Sequence, residues 1–183
     1  VPFVISSLTQ GSPTEQEYIL KTYFTPNASF QHPFCRVFSF SNVTIPLIGE
    51  IDSRWVIWMI YRWYKILSPR IDLDVHSVVY DQKQQVLFVQ ISQVFSLWFV
   101  PFYKSHAQLI TALHLHHAPN DGKYYIHKQE DFYQVNEFVK FVWPFGDIVL
   151  AIWQFAMTLI CIIGALLFAP LTWTEDATEM SKH

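Results

Sequence analysis

Near the end of a β-rich stretch, "KYYIHKQEDFYQV" places His127, Gln129 and Asp131 at every second position. On an extended strand all three project from one face. An imidazole or carboxylate that faces a bound molecule away from water has its pKa moved toward neutrality and can transfer a proton without a cofactor. His32, in the loop-like "QHPF", could approach that face from the opposite side. Asp131, His32 and His127 are therefore the candidate acid-base residues. A buried polar network that fixes a sheet onto its helices would use the same residue types. His76, His114, His116 and Glu130 complete the titratable set. His114 and His116 share a strand face and invite a zinc reading, but no third ligand follows at short spacing. The opposite face, Leu109, Thr111, Leu113 and Leu115, already supplies the buried side. No metal is expected.

Positioning these groups requires a sheet and helices to pack on it. Ser12-Pro13-Thr14-Glu15 carries a capping residue, an early proline and an acidic first turn ahead of Tyr18, Ile19, Tyr23 and Phe24, which predicts a first helix. Thr25-Pro26-Asn27 breaks it, and "ASFQHPFCRVFSF" reads as an irregular element folded against the helix. "DSRWVIWMIYRWYKIL", Asp52 to Leu67, predicts a second, aromatic helix closed by Ser68-Pro69. Its rings lie on more than one side, so some are free to meet a partner, a second copy of the domain or a membrane surface. "IDLDVHSVVYD", "VLFVQISQVFSLWFVPF", "HAQLITALHLHH" and "KYYIHKQEDFYQV" read as four strands, with turns at Asp81 to Gln85 and Ala118 to Lys123. Helices followed by antiparallel strands make an α+β domain. A short amphipathic helix is expected over Val135 to Phe141, and the oily "SLWFVPFYKS", Ser96 to Ser105, is a candidate for the lipid interface.

"IVLAIWQFAMTLICIIGALLFA", from Ile148 to Ala169, contains no charge, and its polar interruptions are Gln154 and Thr158. As a helix it would be about 33 Å long, against roughly 30 Å of bilayer hydrocarbon. A domain of this size cannot wrap so long an apolar rod, so a single-pass membrane anchor is expected, ended by Pro170. The opening "VPFVISSLTQGSP" lacks a basic leader and a long apolar run, so no secretory signal is expected. The boundaries follow: 1–13 N-terminal segment, 14–141 folded domain, 142–173 anchor with flanks, 174–183 polar tail. The expected topology is tail-anchored, in the endoplasmic reticulum with the domain in the cytosol. Two sequons, at Asn27 and Asn42, test that orientation.

Composition excludes several classes. The net charge of −3 with scattered Lys and Arg gives no nucleic-acid footprint. Cys35 and Cys161 fall in the domain and in the apolar segment, which makes them poor disulfide partners. Five glycines and no glycine-rich phosphate loop leave no signature of a nucleotide cofactor. No cofactor is expected.

"TPNASFQHPF", "YRWYKILSP", "IDLDVHSVVYD", "LFVQISQVF" and "DGKYYIHKQEDFYQVNEFVKF" together resemble the SigF-like branch of the nuclear transport factor 2-like (SnoaL-like) superfamily, found in fungal proteins. The resemblance covers about residues 14 to 165 and is most specific from Tyr61 to Phe95 and from Gln129 to Gln134. It implies a cone: a strongly bent antiparallel sheet closed by helices, with a cavity at the open end. The wider superfamily includes cofactor-free isomerases, cyclases and dehydratases, binding modules and dimerising adaptors. It carries no catalytic residues over to this chain. On the longest strand one alternate set, Leu87, Val89, Ile91, Gln93, Phe95, Leu97 and Phe99, would face such a cone. One polar group among apolar ones suits an oily pocket with a single orienting contact, and equally a packed core. The candidate pocket comprises Phe30, His32, Phe34, Trp58, Tyr61, Ile91, Gln93, Phe95, Gln129 and Asp131. Two functions are expected from this reading. One is a membrane-tethered module that binds an apolar molecule (lipid, sterol or prenylated metabolite) or a protein partner, with a homodimer among the possibilities. The other is a cofactor-free isomerase or cyclase acting on a membrane-partitioning substrate.

Overall fold

The structure is a computed structural model that describes residues 1–96, 104–134 and 146–180. The chain divides into two compact units, Val1–Phe138 and Val139–His183. The helix expected over 135–141 and residues 97–103 of the oily strand end lie outside the described residues.

The first unit begins with α1 (Pro2–Gln10) and α2 (Pro13–Tyr23). Residues 1–13 are therefore part of the domain, a correction to the boundary drawn from sequence. Val4, Ile5 and Leu8 fall on one helical face and enter the core. Ser6 and Ser7, which look like helix breakers, are accommodated because Ser6 Oγ donates to Phe3 O at 3.0 Å and Ser7 Oγ donates to Glu15 at 2.8 Å. Ser12 caps α2 by accepting from Glu15 N. Inside it, buried Gln16 donates to Leu8 O at 2.8 Å and ties the two helices together.

The stretch read as irregular is a hairpin, β1 (Phe24–His32) and β2 (Cys35–Val37). Thr25-Pro26-Asn27 lies within β1 and does not break it. The pairing of β1 with its neighbour shifts register between Phe24 and Ser29, so Pro26 sits where no ladder donor is required. A separate two-stranded sheet follows, β3 (Val43–Ile45) with β4 (Gly49–Ile51). Then comes α3 (Ser53–Leu67), capped by Asp52, which accepts from Trp55 N at 2.9 Å. Four long strands complete the sheet: β5 (Arg70–Asp81), β6 (Val86–Ser96), β7 (Lys104–Ala118) and β8 (Lys123–Tyr133). Both anticipated turns are present. Asp81 Oδ1 accepts from Lys83 N and Gln84 N, and Gly122 takes φ 68 after Asp121.

The six-stranded order is β2-β1-β8-β7-β6-β5. It is a mixed sheet, not the antiparallel one anticipated, because β1 runs parallel to β8. The long intervening chain, α3 and the six strands β2 to β7, supplies the crossover that parallel pairing needs. Register shifts at Val75/Ser77 and at His114/Leu115 bend the long strands. Their inner face carries Val89, Ile91, Leu109, Leu113 and Ile126 in one core cluster with Ile19, Leu20 and Ile57 of the helices and Phe24 at the start of β1. Ser53, fully buried at the start of α3, donates to Ala28 O at 2.6 Å and pins that helix to β1.

In the second unit α4 (Gly146–Met180) is a single helix. Ile148–Leu167 is long and apolar enough to cross a membrane, and none of that window is buried inside the protein. Pro170 does not end the helix, and the backbone stays helical into the stretch read as a polar tail. A proline removes its own N–H bond and crowds the carbonyl four residues back, a local cost that need not end a helix whose remaining ladder is intact.

Candidate functional site

Six elements, β1, β2, α3, β6, β7 and β8, bring polar groups to one end of the sheet's inner face. Thr111 and Asp131 lie directly opposite each other on β7 and β8, and Thr111 Oγ1 donates to Asp131 Oδ1 at 2.8 Å. Gln129, two residues along the same face, donates to Asp131 at 3.0 Å. The parallel register sets Phe30 beside Gln129. From α3 above, the Tyr61 hydroxyl lies 2.9–3.0 Å from the Gln129 amide. Tyr64, one turn further along α3, meets His32 and Cys35 from the β1–β2 hairpin. Gln93 on β6 donates to the Tyr133 hydroxyl at 2.8 Å, and the Tyr133 ring stands edge-on to His32 with centroids 5.0 Å apart.

Hydrogen-bond direction fixes the state of His32. Phe34 N donates to His32 Nδ1 at 3.2 Å, so Nδ1 carries the lone pair and the proton resides on Nε2. The Tyr64 hydroxyl at 3.1 Å therefore donates to Nδ1 as well, and the Cys35 thiol at 3.3 Å donates to the Tyr64 oxygen. Burial holds His32 at about 4, which keeps the ring neutral at physiological pH. Burial also raises Asp131 to about 6, only partly offset by the bonds from Gln129 and Thr111. The tyrosines 61, 64 and 133 are pushed above the ordinary phenol range, first by burial and then by neighbours that include the Asp131 charge. The cluster is an ionisable carboxylate surrounded by neutral donors. Each of His32, Tyr61, Tyr64, Asp131 and Tyr133 nonetheless retains accessible surface.

Of the residues singled out from sequence, His32, Tyr61, Gln93, Gln129 and Asp131 converge here. Phe30 and Ile91 are packed into the core beneath, Phe95 shares the inner parity of β6, and Phe34, half-exposed, stacks on His32 at the rim. Trp58 is elsewhere: its Nε1 donates to Pro13 O at 3.0 Å, and it lines a groove of about 380 Å³ with Glu17, Lys21, Glu50 and Trp55. His127 is also elsewhere. It is the extra residue of a bulge between His114↔Lys128 and Leu115↔Ile126, so Ile126 turns inward in its place and His127 emerges on the outer face. There it lies 6.1 and 6.3 Å, ring to ring, from His114 and His116. Glu130 on that face accepts from His114 at 2.8 Å and Lys128 at 2.9 Å. Among the described residues no group of three or more His, Cys, Asp or Glu could hold a metal ion. His127→Ala is expected to change stability by no more than about 0.5 kcal/mol and to leave the titration of Asp131 unaltered, checked by thermal melting and by following that carboxyl with pH.

Tyr64, Tyr133, Thr111 and Cys35 were not assigned to the site from sequence, although Thr111 was placed on the buried face of its strand. Tyr64 follows Tyr61 by three residues on a helix, and Tyr133 continues the Gln129/Asp131 alternation, so both had a readable signal.

The sequence matches the SigF NTF2-like domain over residues 1–173. The chain belongs to the SigF NTF2-like family. Among curated proteins no relative matches it. Solved structures with the same fold include a Streptomyces galilaeus protein described as a hydroxylase, with TM-score 0.52 and 11% identity over 88% of this chain and 89% of that one. Another is a SnoaL-like polyketide cyclase, so described, from Jannaschia sp. CCS1, with TM-score 0.50 and 14% identity over 75% and 86%. An NTF2-like protein from Exiguobacterium sp. 255-15 gives 0.51 and 9% over 70% and 92%. These likenesses establish the NTF2-like α+β fold with its curved mixed sheet. In this SigF NTF2-like chain the family match takes in α1 and reaches well into α4, so both belong to the family's pattern.

Proposed function

We propose that this chain is a membrane-anchored binding module whose recess takes an apolar molecule, a lipid, sterol or prenylated metabolite, oriented by a few polar contacts. The observation that carries the reading is the combination at Asp131 and His32 of strong desolvation with residual accessibility. A solid core would hide these groups, and an open surface would solvate them. The floor is apolar, with Phe30 and Ile91 both almost completely buried. Anchoring by α4 is the second half of the proposal. It places the recess where ligands scarce in water are concentrated, and the compartment proposed is the endoplasmic reticulum membrane with the domain in the cytosol. Unmodified Asn27 and Asn42 are the expected result of a glycosylation assay, and occupied sites would reverse that orientation. Mass spectrometry of the detergent-extracted full chain is expected to release an apolar species at near-stoichiometric yield. Release of the same lipid mixture that every membrane protein carries would count against the recess.

One observation favours a second reading. A carboxylate held at about 6 is poised as a general base near neutral pH. In a cofactor-free isomerase or cyclase Asp131 would remove a proton from substrate carbon or hydroxyl, with neutral donors nearby to stabilise the charge that develops. The solved relative described as a polyketide cyclase agrees with that chemistry. Asp131→Asn separates the two readings. An enzyme loses roughly 10²–10⁴-fold in turnover, and its wild-type rate falls as pH drops through about 6. A binder retains its affinity, because the amide oxygen still accepts from Thr111.

A further inference from the structure

From Val37 to Gly49 the chain carries no charged residue, and this run ends in the β3–β4 hairpin, which forms its own small sheet apart from the main one. An isolated hairpin with three residues per strand has little to hold it in water. Its tip is aliphatic and protrudes: Leu47 is 108% exposed, Ile48 54% and Val43 44%. Ile48 N donates to Ile45 O at 3.2 Å, closing a turn with Pro46 at its second position and Leu47 at its third. Leu47 has φ 73. That turn position is one that glycine or asparagine occupies without strain, and leucine does not. The most strained and most exposed residue of the hairpin is thus a large aliphatic one.

We infer that the β3–β4 tip, led by Leu47 and Ile48, is a lipid-contacting wedge that enters the acyl-chain boundary of a bilayer. The occupant follows from the chemistry of the tip. It presents aliphatic groups with no aromatic, arginine or other polar anchor of the kind that dominates protein interfaces. Its inward-facing backbone groups are paired across Val43↔Ile51, Thr44↔Glu50 and Ile45↔Gly49 and by the turn bond, so the tip carries its aliphatic side chains to the acyl-chain boundary while the open strand edges stay at headgroup level. A bilayer is favoured as the occupant because the same polypeptide carries Ile148–Leu167, a helix long and apolar enough to cross a membrane. The inference rests on the anchoring proposed above, which supplies lipid at high effective concentration.

The test uses the full, unmodified chain in phosphatidylcholine liposomes doped with a phosphatidylcholine bearing a diazirine in its acyl chain. After photolysis, adducts are mapped by peptide mass spectrometry. Adducts are expected on residues 43–49 and within 148–167, and not on the exposed turn 82–84. Adducts within 148–167 but none on 43–49 overturn the wedge and leave the anchor standing. Adducts on 43–49 without any in 148–167 support the wedge and overturn the anchor, and none in either overturns both. The double substitution Leu47→Asp with Ile48→Asp is expected to abolish labelling at the tip while 148–167 labels as before. Labelling of the tip that survives this change would also overturn the wedge.

Discussion

Asp131→Asn is expected to make the folded chain about 3 kcal/mol more stable at pH 7 while leaving it indistinguishable from wild type near pH 4. The sign follows from the direction in which burial moves the carboxyl. Asp131 has a folded pKa of about 6 against an ordinary 3.8, so the folded state holds its proton more tightly than the unfolded one. Stability from this group is fully present below 3.8 and is lost as pH rises through 6, a tenfold change in proton affinity being worth about 1.4 kcal/mol. Asparagine is never charged and escapes that cost, and it still accepts from Thr111 at the same place. His32 runs the other way: held at about 4 against 6.5, it contributes stability above 6.5 that is lost as pH falls through 4. Between roughly pH 6 and 4 the two contributions nearly cancel. In Asp131→Asn only the His32 slope remains, so the variant should lose roughly 3 kcal/mol more than wild type between pH 6.5 and 4. Urea titrations of both proteins at a series of pH values check this. Parallel curves for the two proteins would mean that Asp131 is solvated.

The second large effect concerns α4. Placing arginine at Met157 and Ile160, near the middle of Ile148–Leu167, should cost about 2.5–3.5 kcal/mol each for transfer into hydrocarbon. The doubly substituted chain is expected to be released from membranes by alkaline carbonate, which leaves the wild type in the pellet. Residues 1–138, a compact unit of their own, should keep their circular dichroism signature. A wild-type chain that stays dissolved and monodisperse with no detergent present would remove the membrane reading altogether.

Long periodic elements were legible because their patterns are redundant. The aromatic run from Ser53 to Leu67 and the alternation from Val86 to Ser96 each repeat their signal several times, so the helix, the strand and the inward set Val89, Ile91 and Gln93 emerge together. The site was legible wherever parity continued unbroken, as from Gln129 to Asp131. It failed at His127, where one inserted residue reverses the face of everything before it. A bulge leaves no mark in composition, since Ile126, His127 and Lys128 are ordinary strand residues. Thr25-Pro26-Asn27 correctly marked the end of the helix, which stops at Tyr23, but the strand that follows read as irregular; Pro26 fits within it because the irregular register beside it needs no N–H there. The parallel pairing of β1 with β8 depends on residues nearly a hundred positions apart, beyond the reach of local pattern. The N-terminal helix was missed because nine residues with two serines carry too little periodicity to declare a face.

Binding and acid-base chemistry alike require Asp131 to lie in a recess that water barely fills and a ligand can enter. Selective carbon-13 labelling of aspartate, with the Asp131 resonance assigned by difference from Asp131→Asn, gives its titration midpoint directly in the full-length chain. A midpoint of about 6 is the result expected from its burial. A midpoint at the ordinary 3.8 would show a carboxylate fully hydrated at the surface, and both readings would fall with it.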